Sequence, residues 1–257
     1  MTQGNVAGLV IFCGFATAAD PVNFRGSEEP RATAGSPGDH RSEGTLEALG
    51  GVPTAQPVPL WGFSDGTALL AAWTRWGWPA WHAPPLSQLP RLDGDSRERV
   101  RAAWHQGTVA PFEGLGTVRG GGAHGPLAGG NLCVLTSLVG TPFQAPLAGH
   151  IVVLEDIGEA PYKIDRMVRQ LVLGGGLGEA AAIVLGHFTG VDTEASTIID
   201  AFFEELAAEL EIPVARGLPI GHGEENAPVP LGTASGHRAR LECSGGEAIL
   251  HVDGPAT

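Results

Sequence analysis

Residues 60–73, LWGFSDGTALLAAW, leave this chain few ways to fold. An apolar run stops at Gly62, the five residues GFSDG turn the chain, and a stretch apolar on nearly every side follows. A helix of that kind must be buried, so the strand, turn and helix belong inside a layered α/β structure. Gly62, Phe63, Ser64, Asp65 and Gly66 also spell G-x-S-x-G, in the strand-to-helix setting that gives the pattern meaning. Such a corner strains the serine, asks for small neighbours where the backbone crosses itself, and offers helix N-terminal N–H groups to a developing oxyanion. A serine ahead of an apolar run also caps helices, and the motif alone leaves nucleophile and N-cap both open.

The composition narrows the partners. At 257 residues and 43% hydrophobic, the chain holds one large core or two modest ones. Its net charge of −13 repels a nucleic-acid backbone or an anionic membrane and leaves a small uncharged or zwitterionic ligand as the better fit. Cys13, Cys133 and Cys243 lie far apart with no CxxC pairing, which points to reduced thiols in a cytoplasmic setting and away from a cysteine metal site. No cofactor is expected. No Lys or Arg precedes the apolar run near the start, so residues 6–12 read as a first buried strand rather than a signal peptide. No apolar stretch approaches the roughly 18 residues of a membrane span.

Along the chain, residues 20–56 are rich in Pro, Gly, Ser and charge and read as loop, with a helical patch at 45–49. A strand is expected at 57–61, a buried helix at 66–76, an extended piece in GWPAWHAP, and a Pro-rich crossing segment that ends in a polar helix. The division expected is a serine-bearing domain over 1–95, a linker over 96–115 and a second domain over 116–257. In the second part, GGGAHGPLAGGNLCVLTSLVGTP reads as a glycine-rich entry to a helix at 131–139. GHIVVLED, AAAIVLGHF and PVARGLPIGHG then read as strands, YKIDRMVRQLVLGG and STIIDAFFEELAAEL as helices, and RARLEC with AILHVDG as a closing hairpin. This alternation argues for α/β. Trp73, Trp76, Trp78 and Trp81 read as core, and the GGGLG at Gly174 as a turn.

A serine at its resting pKa needs a base, and the base needs an acid to fix its tautomer. His40, His105, His124, His150, His237 and His251 have ordinary loop, turn or hairpin settings. His222 differs, since glycines flank it at the end of an apolar run, where α/β sites form. Glu155 follows HIVVL directly, a position that equally suits a solvated glutamate or a helix first-turn acid.

The ordered motifs GFSDGTALL, GWPAWHAP, GPLAGGNLCVLTSLVGTP, GHIVVLEDIGEAPYKIDRMVRQL, AAIVLGHFTG and IPVARGLPIGHGEENAPVPLG resemble the LD-carboxypeptidases, the serine peptidase family that includes the microcin C self-immunity peptidase. The resemblance runs from Pro57 to the end. It implies Ser64 as nucleophile, Glu155 as triad acid and His222 as base, with the Asp65 N–H as first oxyanion donor. It also implies a serine-bearing domain like those of class I glutamine amidotransferases, a C-terminal domain bearing Glu and His, a site between them, no metal, and usually a homodimer. The activity implied is removal of the terminal D-alanine from cytoplasmic muropeptide tetrapeptides during cell-wall recycling. The alternatives are a microcin C immunity-type peptidase acting on peptidyl or aminoacyl nucleotides, and an impaired relative that only binds. An α/β-hydrolase esterase shares the order Ser, acid, His but needs several strands ahead of the serine.

The departure from the family pattern lies upstream. Only 63 residues precede Ser64, and no RGGYG loop is present to supply the second oxyanion N–H. FRGSEE and AGSPGDHRSEG are the glycine-containing candidates in that interval. A shortened N-terminal domain is therefore expected, with apolar surface left open near residues 6–12 and along the Trp-bearing helix.

Overall fold

Two sheets meet across one buried helix. The computed structural model describes residues 56–254 together with Leu9, Val10, Val22, Asn23 and Leu46. The first sheet is built from β1 (Leu9–Val10), β2 (Val22–Asn23), β3 (Leu60–Gly62), β4 (Ala80–His82) and β11 (Val229–Leu231), in the order β11-β4-β3-β1-β2. β3 and β4 run parallel, with Gly62 level with His82, and β11 closes the far edge antiparallel to β4. An edge strand thus comes from the C-terminal part of the chain into the serine-bearing sheet.

The second sheet has the order β6-β12-β13-β5-β10-β9-β8-β7. Its parallel half is β7 (Leu127–Asn131), β8 (Ile151–Ile157), β9 (Ala182–Thr189) and β10 (Val214–Arg216). The antiparallel half is β5 (Phe112–Arg119), β6 (Gly121–Gly125), β12 (Arg238–Ser244) and β13 (Glu247–Asp253). Ile151 to Leu154 and Ala182 to Leu185 are fully or nearly fully buried, as continuous β-branched and apolar runs are when helices cover a parallel sheet. The layers are α1 (Thr67–Arg75), α2 (Gly94–Gln106), α3 (Leu132–Ser137), α4 (Pro161–Gly174) and α5 (Thr193–Leu210).

The α/β class and the closing hairpin follow the expectation. The glycine-rich entry does not, because residues 112–131 form three strands where helix entry and linker were expected. Nor does the run ending at His222 form a long strand: β10 stops at Arg216. The proposed strand at 6–12 and the helical patch at 45–49 fall largely outside the described residues.

α1 is the joint. Every residue from Thr67 to Trp73 is buried, and the helix packs on β3 and β4 of its own sheet and on β7 and α3 of the other. Its Ala68, Ala71 and Ala72 let both layers come close, while Leu69, Leu70 and Trp73 contribute roughly 1.5–3 kcal/mol each by burial. The Trp-bearing helix is therefore covered rather than left as open apolar surface. Trp73, Trp76 and Trp78 pack on one another, and Trp61 stacks on Trp81 at 5.2 Å between ring centroids. Among the described residues no helix is long and apolar enough to cross a membrane.

Thr67 Oγ1 accepts the Asn131 N–H at 3.1 Å, tying the start of α1 to the end of β7. That approach requires glycine at the end of β7. A Cβ on Gly130 would meet Thr67 Oγ1 at 2.7 Å, and one on Gly129 would meet the Val153 carbonyl oxygen at 2.0 Å. Gly129 also has φ 125°, which an L side chain rarely adopts. Replacing Gly129 by Ala is expected to cost more than about 3 kcal/mol in urea unfolding. Gly94→Ala, at a site with nothing within 4 Å of the added carbon, is expected to stay within about 0.5 kcal/mol.

Candidate active site

β3 ends at Gly62 and delivers Ser64 into a single 3-10 turn, Ser64–Gly66, closed by the Gly66 N–H donating to the Phe63 carbonyl at 2.9 Å. Ser64 has φ 55°, a left-handed conformation that a serine holds only when its surroundings impose it. Gly62 is the crowded position, where an added Cβ would lie 3.3 Å from Leu70 Cγ and the leucine would have to give by a few tenths of an ångström. Gly66 is different: its φ is −58° and nothing lies within 4 Å of an added Cβ, so the second glycine of the motif is not a steric requirement here. The Ser64 side chain does not cap the helix. Its Oγ lies 3.0 Å from His222 Nε2.

His222 Nδ1 lies 2.9 Å from Glu155 Oε2. A carboxylate can only accept, so Nδ1 carries the proton and Nε2 is left to accept from the serine hydroxyl. Glu155 stands on β8 level with Asn131 of β7 and is completely buried, which sets aside the solvated and first-turn alternatives. Burial pushes its carboxyl up, yet the imidazoles of His222 and His82 outweigh that and bring it down to about 2. The carboxylate therefore stays ionised throughout the neutral range.

The segment that carries His222 is irregular, and its shape comes from its anchors. The Leu218 N–H donates to the Leu185 carbonyl, and the Ile220 carbonyl accepts the His187 N–H at 2.9 Å. Asn226, fully buried, accepts the Gly221 N–H on Oδ1 at 3.3 Å and donates its amide to Gln88 Oε1 at 3.0 Å. The Asn226 N–H donates to Ser96 Oγ at 3.1 Å, and Gln88 Nε2 donates to the Gly223 carbonyl at 3.0 Å. Thus α2 and its lead-in, expected as a crossing segment, hold the loop that aims the imidazole.

The second carboxylate of the LED triplet serves elsewhere. Asp156 Oδ1 accepts from Asn131 Nδ2 at 2.9 Å and from the Ile157 N–H at 2.8 Å, and Oδ2 accepts the Cys133 N–H at 3.0 Å. Burial dominates these donors and raises its carboxyl to about 6. Asn131 caps α3 through the Val134 N–H, so Asp156 locks the start of that helix.

Ser64, Glu155 and His222 are thus brought together, from β3, β8 and the loop after β10, near the C-terminal ends of parallel strands. Asp65 follows Ser64 in the turn. FRGSEE and AGSPGDHRSEG lie outside the described residues. His82, Asn226, Gln88 and Asp156 went unnoticed in the sequence; for Asp156 the signal was present, because adjacent residues on a strand face opposite ways and LED therefore needed two explanations. Among the described residues no three His, Cys, Asp or Glu side chains form a group that could hold a metal ion.

A model of the LD-carboxypeptidase C-terminal domain matches residues 124–235. The murein tetrapeptide carboxypeptidase of Pseudomonas aeruginosa is 36% identical over 207 residues, covering 74% of this chain and 67% of that protein. The protein slr1534 of Synechocystis sp. is 35% identical over 201 residues, covering 77% of this chain and 66% of that one. The chain therefore spans about two thirds of the length of these relatives. The crystal structure of muramoyltetrapeptide carboxypeptidase from Oxalobacter formigenes superposes with a TM-score of 0.64 at 28% identity, covering 77% of this chain and 69% of the other.

The depressed Glu155 carboxyl has a consequence for stability. Unfolding returns it to about its ordinary 4.5, so the stability it contributes is complete above that pH and is lost as pH falls toward about 2. In urea titrations, Glu155→Gln is expected to be less stable than the unmodified protein at pH 6, with the gap shrinking at pH 3. A gap that stays constant or widens on acidification contradicts this assignment.

Proposed function

Because the chain belongs to the LD-carboxypeptidase family, we propose that it is a serine carboxypeptidase that releases the terminal D-alanine of muropeptide tetrapeptides. The observation that carries the reading is the unbroken relay from Ser64 Oγ through both ring nitrogens of His222 to a buried carboxylate, with contacts of 3.0 and 2.9 Å. His222 takes the serine proton as Oγ attacks the carbonyl carbon before D-alanine, and Glu155 stabilises the imidazolium that forms. The same proton then passes to the leaving amine, the C–N bond breaks, and an acyl-enzyme on Ser64 remains. Water, deprotonated by His222, hydrolyses the ester and restores the hydroxyl.

In this reading the Asp65 N–H faces the oxyanion, a donor whose loss costs on the order of 3 kcal/mol in such sites. The strained φ of Ser64 keeps Oγ at the corner instead of letting it fold back as a cap. The substrate class is supported by the 36% identity to a murein tetrapeptide carboxypeptidase. A cytoplasmic setting and a homodimer belong to the same proposal, and sedimentation of the purified chain tests the latter.

Replacing Ser64 by Ala is expected to lower D-alanine release from a muramyl tetrapeptide by at least about 10³-fold with the urea midpoint little changed. Release at the unmodified rate by the folded variant overturns the proposal.

A further inference from the structure

The relay uses one oxygen of Glu155, and the other faces a second histidine. His82 ends β4, stands level with Gly62 two residues before the serine, and is completely buried. Its Nε2 lies 3.9 Å from Glu155 Oε1. Among the described residues, Oε1 and both ring nitrogens of His82 have no hydrogen-bond partner. The ring is held in place: Phe63 meets it edge-on at 5.4 Å between centroids, Gly130 leaves room beside Cδ2, and the His82 backbone is paired between β3 and β11.

We propose that His82 is a positioning residue for Glu155, donating its Nε2–H to Oε1 and so setting how strongly the carboxylate holds the proton on His222. An ionised carboxylate removed from water seeks donors on both oxygens, His222 supplies one at Oε2, and His82 is the donor group aimed at Oε1. The separation is about 1 Å beyond an ordinary N–H···O contact. The titratable groups around Glu155 are His82 from β4, His222 from the loop after β10, and the neighbouring Asp156, whose oxygens are taken by Asn131, Cys133 and Ile157. The lowered Glu155 carboxyl agrees, with His82 among its causes.

The inference rests on the triad reading of Ser64, Glu155 and His222, and it adds a measurable property. Without a donor at Oε1 the carboxylate becomes more basic, His222 holds its proton to higher pH, and less of the enzyme has a free base. His82→Leu is expected to lower kcat for D-alanine release roughly tenfold with KM unchanged and to move the acid limb of the pH profile up by about one unit. His82→Gln, which keeps an N–H, is expected to recover most of both. An unchanged acid limb in a folded His82→Leu variant, or no recovery in a folded Gln variant, overturns the proposal. ¹⁵N spectra of the histidine rings in the unmodified protein supply a second readout that needs neither turnover nor substitution. A proton on His82 Nε2 supports the assignment, and an Nδ1–H tautomer sinks it. A protein that releases no D-alanine yet shows the Nε2–H tautomer fails the carboxypeptidase reading while His82 keeps its place.

Discussion

A carboxylate with no access to water is the constraint around which the rest is arranged. Glu155 is ionised and wholly buried, a state that persists only when donors compensate the lost hydration. The imidazoles around it come from distant segments. His222 arrives on a loop braced by Asn226, Gln88 and Ser96 and binds Oε2, and His82 stands 3.9 Å from Oε1 on the other sheet. Both sheets and the lead-in to α2 must therefore be in register before the charge is satisfied, which makes the site a consequence of the whole assembly.

The serine corner depends on the same assembly. A left-handed serine costs on the order of 1–3 kcal/mol and persists where surrounding structure over-determines it. Here Gly62 lets Leu70 pack against the strand end, Thr67 binds the Asn131 N–H, and α1 is buried by layers on both sides. Strain at Ser64 is thus held by the helix that follows, and the hydroxyl is left for the imidazole.

Much of the parallel half was legible because its signals are local. The runs IVVL and AIVL are continuous and apolar, α4 and α5 carry helical spacing, and the closing hairpin alternates. The strands of residues 112–131 escaped because glycine supplies no side-chain period, and in β7 it is present for close backbone approach rather than for a turn. The same holds at the site. Ser64 announced itself through a contiguous motif, whereas His82 has meaning only through a carboxylate on another sheet. Asn226 likewise acts through partners in α2 and in the segment that leads into it. Side chains whose role is to hold another side chain leave no spacing to read.

β11 is the edge of the serine-bearing sheet, yet it is made of residues 229–231, beyond both Glu155 and His222. During synthesis β4 lacks that hydrogen-bonded neighbour until residues 229–231 have left the ribosome. By then Glu155 and His222 have already emerged. The order of the chain thus ties completion of the sheet beneath Ser64 to the presence of His222 and Glu155, and a truncated product ending before residue 229 carries the hydroxyl on an unfinished scaffold.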